Sequence, residues 1–124
     1  MFDLSERSLL EPRAYIDGQW VTAEGGRTFP VANPSTGETI AEVADLGPAE
    51  TRCAIDCAET AQKDWAARTA KERANTLRRW HDLIMAHQED LGRLITAEMG
   101  KPLAEAKGEI AYGASFVEWF AEEA

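Results

Sequence analysis

The stretch Thr69–Met99, TAKERANTLRRWHDLIMAHQEDLGRLITAEM, carries a start signal, a stop signal and an apolar face between them. Thr69 and Glu72 match the S/T-x-x-E capping box, in which each side chain satisfies the other residue's free backbone N–H. Gly100 follows where a helix takes a left-handed residue, and Pro102 blocks continuation. Leu77, Trp80, Ile84, Leu91, Leu94 and Ile95 fall at helical spacing and share one face. As a single rod, roughly 30 residues at about 1.5 Å each would reach about 45 Å, which is long for a compact domain of this size. A break is expected near His87–Asp90, where the apolar spacing lapses and HQED offers capping groups.

Working back from this stretch, Gly47-Pro48 marks a boundary and Glu50 favours a helix start. A helix over about 48–66 has the stripe Ala54, Ile55, Ala58, Ala61 and Trp65. Before it lie small β-elements over about 14–46. Asp17-Gly18, flanked by Tyr15, Ile16, Trp20 and Val21, is a tight-hairpin signal. Gly25 and Gly26 make a second turn. RTFPVANP is an extended segment that Pro30 keeps irregular or at a sheet edge. Asn33–Gly37 is a turn, and ETIAEVADL reads as a further strand. Residues 1–13 read as a flexible lead-in in which Leu9 and Leu10 dock and the rest frays.

Working forward, a third helix over about 102–124 places Leu103, Ala106, Ile110, Gly113, Ala114, Val117 and Phe120 on one side. No Gly, Asn or Pro closes it, and its last residues are acidic, the wrong sign for a helix C-terminus. The stripes of the helices can cover one another only in part. The expectation is an α/β fragment, its β-elements and helices cut as one layer from a larger protein.

Composition excludes several classes. A net charge of −9, from 13 basic and 22 acidic residues, opposes a nucleic-acid-binding surface. No apolar run reaches membrane-spanning length, and the N-terminus lacks the charge and apolar pattern of a secretory signal. Two cysteines do not make a disulfide framework. A cytoplasmic location is the default expectation.

Single-site chemistry is sparse. Cys53 and Cys57 are four apart on a helix and can share a face, but a metal site needs further ligands. Neither sits at a helix N-terminus or beside a cationic pair, as a nucleophilic thiol would. His81 and His87 read as surface residues. No glycine-rich phosphate loop occurs. Tyr112, Phe116, Trp119 and Phe120 form an aromatic cluster, read first as core and second as the lining of a substrate passage.

The order of segments says more. YIDGQW (15–20), TFPVANPSTGETIAEV (28–43), WAARTAKER (65–73) with LRRW (77–80), and LITAEMGKP (94–102) together resemble the N-terminal part of the NAD(P)-dependent aldehyde dehydrogenase superfamily. GKPLAEAKGEI (100–110) and SFVEWFAEE (115–123) resemble its succinate-semialdehyde dehydrogenase branch. The resemblance covers the chain from Tyr15 onward and implies an aldehyde dehydrogenase-like α/β fold, residues 14–124 being an incomplete part of its cofactor-binding domain. It implies oxidation of an aldehyde through a cysteine thiohemiacetal, hydride transfer to NAD or NADP, and thioester hydrolysis aided by a glutamate. In that branch the product is succinate, in 4-aminobutyrate degradation.

The resemblance places the catalytic cysteine, the catalytic glutamate and the dinucleotide-binding units beyond Ala124, with Cys53 and Cys57 matching neither role. The chain alone is therefore expected to bind no NAD or NADP and to be inactive. Its expected partner is the rest of such a chain or a homologous subunit, the full-length family being homo-oligomeric. The resemblance also points to a monovalent cation held by backbone groups of Val31 and Ala32 and by Glu98, for which oxygen ligands are apt; Glu98 also reads as an ordinary helix-end residue. Tyr112 and Phe116 match positions near the substrate entrance. Two alternatives stand beside this reading: a stand-alone helical interaction module, and a branch acting on glutarate semialdehyde.

Overall fold

The hairpin signal is realised first. The computed structural model describes residues 3–124. In it β1 (Ala14–Ile16) and β2 (Gln19–Val21) pair antiparallel, Ala14 opposite Val21 and Ile16 opposite Gln19. Asp17 and Gly18 between them have φ of 50° and 73°, the left-handed pair that matches a two-residue turn to strand twist. Tyr15 and Trp20 face each other, ring centroids 4.9 Å apart. The RTFPVANP segment takes the edge alternative: β3 (Thr28–Ala32) pairs antiparallel with β4 (Thr39–Ala44) in a separate two-stranded sheet. Pro30 is tolerated because a two-stranded sheet has only edge strands. The register slips between Val31 and Ala32. Asn33 Oδ1 accepts from Ser35 N at 2.9 Å, and Gly37 N donates to the Asn33 carbonyl at 2.8 Å.

The helices are α1 (Pro48–Ala67), α2 (Ala70–Ala86), α3 (Gln88–Met99) and α4 (Leu103–Glu122). The rod expected to break near His87–Asp90 does so at His87, which has φ −105° and ψ 16°. Thr69 and Glu72 make both bonds of the capping box. Gly100 closes α3 with φ 78°, its N–H donating to the Thr96 carbonyl at 2.9 Å.

Both α2 and α3 pack against α4. The seam is made of small residues: Ala106, Ala114 and Ala121 of α4 are buried, as are Gly92 and Ala97 of α3. Phe120, expected on the inward side, is 60% exposed. Seven residues after Ala114 the seam passes through Ala121, which lets the helices approach where a phenyl ring would hold them apart. Lys107 fastens the α3–α4 contact. Its carbonyl accepts from Gln88 Nε2 at 3.0 Å and its Nζ donates to Glu89 at 2.6 Å. An exposed Arg78–Glu122 pair bridges α2 and α4.

The lead-in differs from its expectation. Met1 and Phe2 lie outside the described residues. From Leu4 the segment is docked rather than frayed: Leu4 is buried, and Ser5 N and Glu6 N donate to the Asp90 carboxylate at 3.0 and 2.8 Å. Asp90 is only 5% exposed. A buried carboxylate requires donors, and the strap supplies two. Arg7–Leu9 forms a 3-10 turn, and Ala44 N donates to the Pro12 carbonyl. By contrast α1 buries no residue, and Ile55 of its stripe is 61% exposed.

Two outcomes are expected. Ala114→Leu should overpack the seam and cost about 1–3 kcal/mol, read as a lowered midpoint in a thermal melt followed by circular dichroism. The Ser5 and Glu6 amides hold the Asp90 carboxyl below its ordinary value of 3.8. A lowered folded value means that the linked stabilisation is complete above the unfolded value and is lost as pH falls through the folded one. The Ser5 and Glu6 amide resonances should therefore titrate with a midpoint below 3.8, and Asp90→Ala should speed tryptic cleavage after Arg7 at neutral pH.

Candidate functional site

Four places in the chain bear on chemistry. The first is the set of helix N-termini, where backbone N–H groups could receive an anionic ligand. Two are filled by the chain's own carboxylates. At α1 Glu50 accepts from Gly47 N at 2.8 Å and Glu24 N at 3.0 Å, and these backbone bonds hold its carboxyl below the usual value. At α2 Glu72 accepts from Thr69, with the same effect. Neither end presents the open, glycine-rich cradle that a dinucleotide pyrophosphate requires.

The second place is the thiol pair. Cys53 is exposed and Cys57 half-buried, both free, on α1. Burial, then the neighbouring Cys53, pushes the Cys57 thiol up. An activated nucleophile needs the opposite shift.

The third is the meeting of the Asn33–Ser35 turn with the end of α3. A methyl group added at Gly100 would lie 3.5 Å from Pro34 Cγ. A cleft of about 290 Å³ opens there, lined by Asn33, Ser35, Arg93, Thr96, Ala97, Gly100 and Leu103. Thr96 Oγ1 is buried and has no hydrogen-bond partner among the described residues. Val31, Ala32 and Glu98 are close in sequence to this cleft but do not line it. Val31 is half-buried at the β3 register slip, and Glu98 is exposed. Arg93 in the cleft disfavours a cation there. Among the described residues no three His, Cys, Asp or Glu side chains are grouped for a metal.

The fourth is the outer face of α4. Tyr112 and Phe116 stack edge to face at 4.9 Å, and Tyr112 is 63% exposed. Trp119 is 61% exposed. The cluster read first as core is thus on the surface. Alanines form the seam, and the rings point away from it. Phe116, Trp119 and Phe120 border an open concavity of about 690 Å³.

The family model described as "Aldehyde dehydrogenase family" matches residues 20–124. The chain belongs to the aldehyde dehydrogenase family. It is 60% identical over 121 residues to a glutarate-semialdehyde dehydrogenase of Pseudomonas aeruginosa, covering 98% of this chain and 25% of that one. It is 54% identical to a 3-sulfolactaldehyde dehydrogenase of Pseudomonas putida, covering 100% and 26%. The crystal structure of a succinate-semialdehyde dehydrogenase from Burkholderia pseudomallei superposes with a TM-score of 0.95 at 53% identity, covering 98% and 25%. The chain thus spans about a quarter of the length of the relatives it matches. The aldehyde dehydrogenase fold is shown by this match, including both small sheets and all four helices.

Two features escaped the sequence reading. Asp90 sits in the first turn of α3, where an acidic residue needs no special explanation, so nothing pointed to its bond with Ser5. Arg93 and Thr96 form the cleft wall only because the Asn33 turn folds against α3, which no local pattern announces. No helix among the described residues is long and apolar enough to cross a membrane.

Proposed function

We propose that this chain is the N-terminal quarter of an NAD(P)-dependent aldehyde dehydrogenase that oxidises a small aldehyde carrying an acidic group at its far end. The observation that carries this reading is the identity of 53–60% over nearly the whole chain to relatives named for such aldehydes. Glutarate semialdehyde, succinate semialdehyde and 3-sulfolactaldehyde each pair an aldehyde with a carboxylate or sulfonate. The succinate reading came first from the motifs. The higher identity to the glutarate enzyme brings that alternative level with it, and the shared class is the anionic semialdehyde.

On this reading a nicotinamide cofactor would supply the hydride acceptor, held by a part of the protein that the present residues support but do not form. The exposed rings on α4 fit a surface that packs against or opens toward that part. Tyr112 and Phe116, as an ordered edge-to-face pair, suit the wall of a substrate passage. Glu98 is exposed at the end of α3, and on this reading it holds a monovalent cation together with the Val31 and Ala32 carbonyls. On the same reading the isolated chain binds no NAD or NADP. The proposed partner is the remaining body of such an enzyme, in a homo-oligomer, and a cytoplasmic setting fits the composition.

A chimera tests this. The first residues of the Pseudomonas aeruginosa glutarate-semialdehyde dehydrogenase are replaced by residues 1–124. The chimera should be soluble and should reduce NAD(P)+ with glutarate or succinate semialdehyde, while the isolated chain should give none. Turnover by the isolated chain that tracks its purification, or a chimera that folds yet is inactive toward both aldehydes, would overturn the reading.

A further inference from the structure

We propose that Cys53 and Cys57 form a capture site for trivalent arsenicals, the two sulfurs closing on a single arsenic atom. This inference rests on α1 alone and is independent of the proposed enzymatic activity. The two residues are four apart near the middle of α1, so they stack on one face one turn apart. Both thiols are free, Cys53 exposed and Cys57 half-buried. No residue of α1 is buried, so a reagent approaches without unfolding anything.

Geometry selects the kind of bond. Positions four apart on a helix hold their Cβ atoms about 5–6 Å apart, whereas a disulfide wants them at about 3.5–4.5 Å. A direct S–S bond would therefore distort the helix. One atom inserted between the sulfurs removes the mismatch.

The surroundings select the inserted atom. Cys57 opens on a cavity of about 440 Å³ whose lining includes Asp17, Asp56, Thr60 and Asp64. Burial, Cys53, Asp17 and Asp56 all keep the Cys57 thiol protonated. Metal binding needs thiolates, and no three metal-ligating side chains are grouped among the described residues. A neutral arsenoxide needs only two thiols and no prior deprotonation. The step is a condensation: R–As=O plus two R′–SH gives R–As(SR′)2 plus one water. Two As–S bonds form, the As=O and both S–H bonds break, both protons leave on the oxygen, and no atom changes oxidation state.

The probe is phenylarsine oxide, and the readout is intact mass after removal of free reagent. The chain should retain one phenylarsenic group with loss of one water. Cys53→Ser and Cys57→Ser should each weaken retention at least about tenfold, because a single thiol loses the advantage of a tethered second ligand. Both variants leave the buried seam untouched. Moving the second thiol by one residue, Cys57→Ala with Ala58→Cys, turns it off the shared face and should weaken retention similarly. Failure of the unaltered chain to retain the group, retention unchanged in either serine variant, or retention unchanged in the shifted variant would overturn the proposal.

Discussion

A methyl group built on Gly92 would lie 2.9 Å from Lys107 Cγ and 3.4 Å from the Lys107 backbone nitrogen. That close approach of α3 to α4 places the groups on which the other long-range contacts depend. One turn earlier, Gln88 reaches the Lys107 carbonyl, and beside it Glu89 holds the Lys107 ammonium. Asp90, carried on the same first turn, bonds instead to the N-terminal strap. One short helix thus joins the last helix of the chain to its first described residues. The break at His87 makes this possible: a continuous rod would aim the 88–92 face according to the register of α2, whereas the kink lets α3 orient separately.

The arrangement divides the molecule. The α2–α4 seam, α3 and the strap are ordered by tertiary contacts, although the buried side chains are nearly all alanine or smaller. Helix α1 and the two hairpins are held mainly by local chemistry: a Glu50 carboxylate, turn hydrogen bonds, a tyrosine–tryptophan pair. The large apolar side chains face outward, Trp119, Phe120 and Tyr112 among them. Monomeric proteins rarely leave contiguous apolar surface of this kind uncovered. On the proposed reading, the remaining body of such an enzyme covers that surface, and the rings need no catalytic role.

Elements governed by neighbouring residues were legible in the sequence. Thr69 with Glu72, Asp17-Gly18 and Gly100 each obey a rule that spans at most four positions, and each adopts the conformation that rule requires. The His87 break was legible because apolar spacing lapses there. Less legible were features that join distant segments. Ser5 and Asp90 are 85 positions apart, and a carboxylate in a first helical turn carries no mark of its partner. The alanine seam misled for another reason. Ala106 and Ala114 stood on the expected inward side of α4, but alanine contributes little to an apolar pattern, so Phe120 was placed there where the close helix packing selects Ala121. The family was legible from the order of motifs rather than from the chemistry of any single residue. Of the candidate site, Tyr112 and Phe116 form an edge-to-face pair, while Val31, Ala32 and Glu98 do not line the cleft at the end of α3.

Hydrogen exchange of residues 1–124, followed by mass spectrometry, tests most directly whether the α3–α4 contact organises the fold. The slowest-exchanging amides should lie in α3 and in the facing stretch of α4 from Ala106 to Ala114, with α1 and both hairpins exchanging much faster. Protection in α1 equal to or greater than that in α3 would contradict the central role given to Gly92 and Lys107.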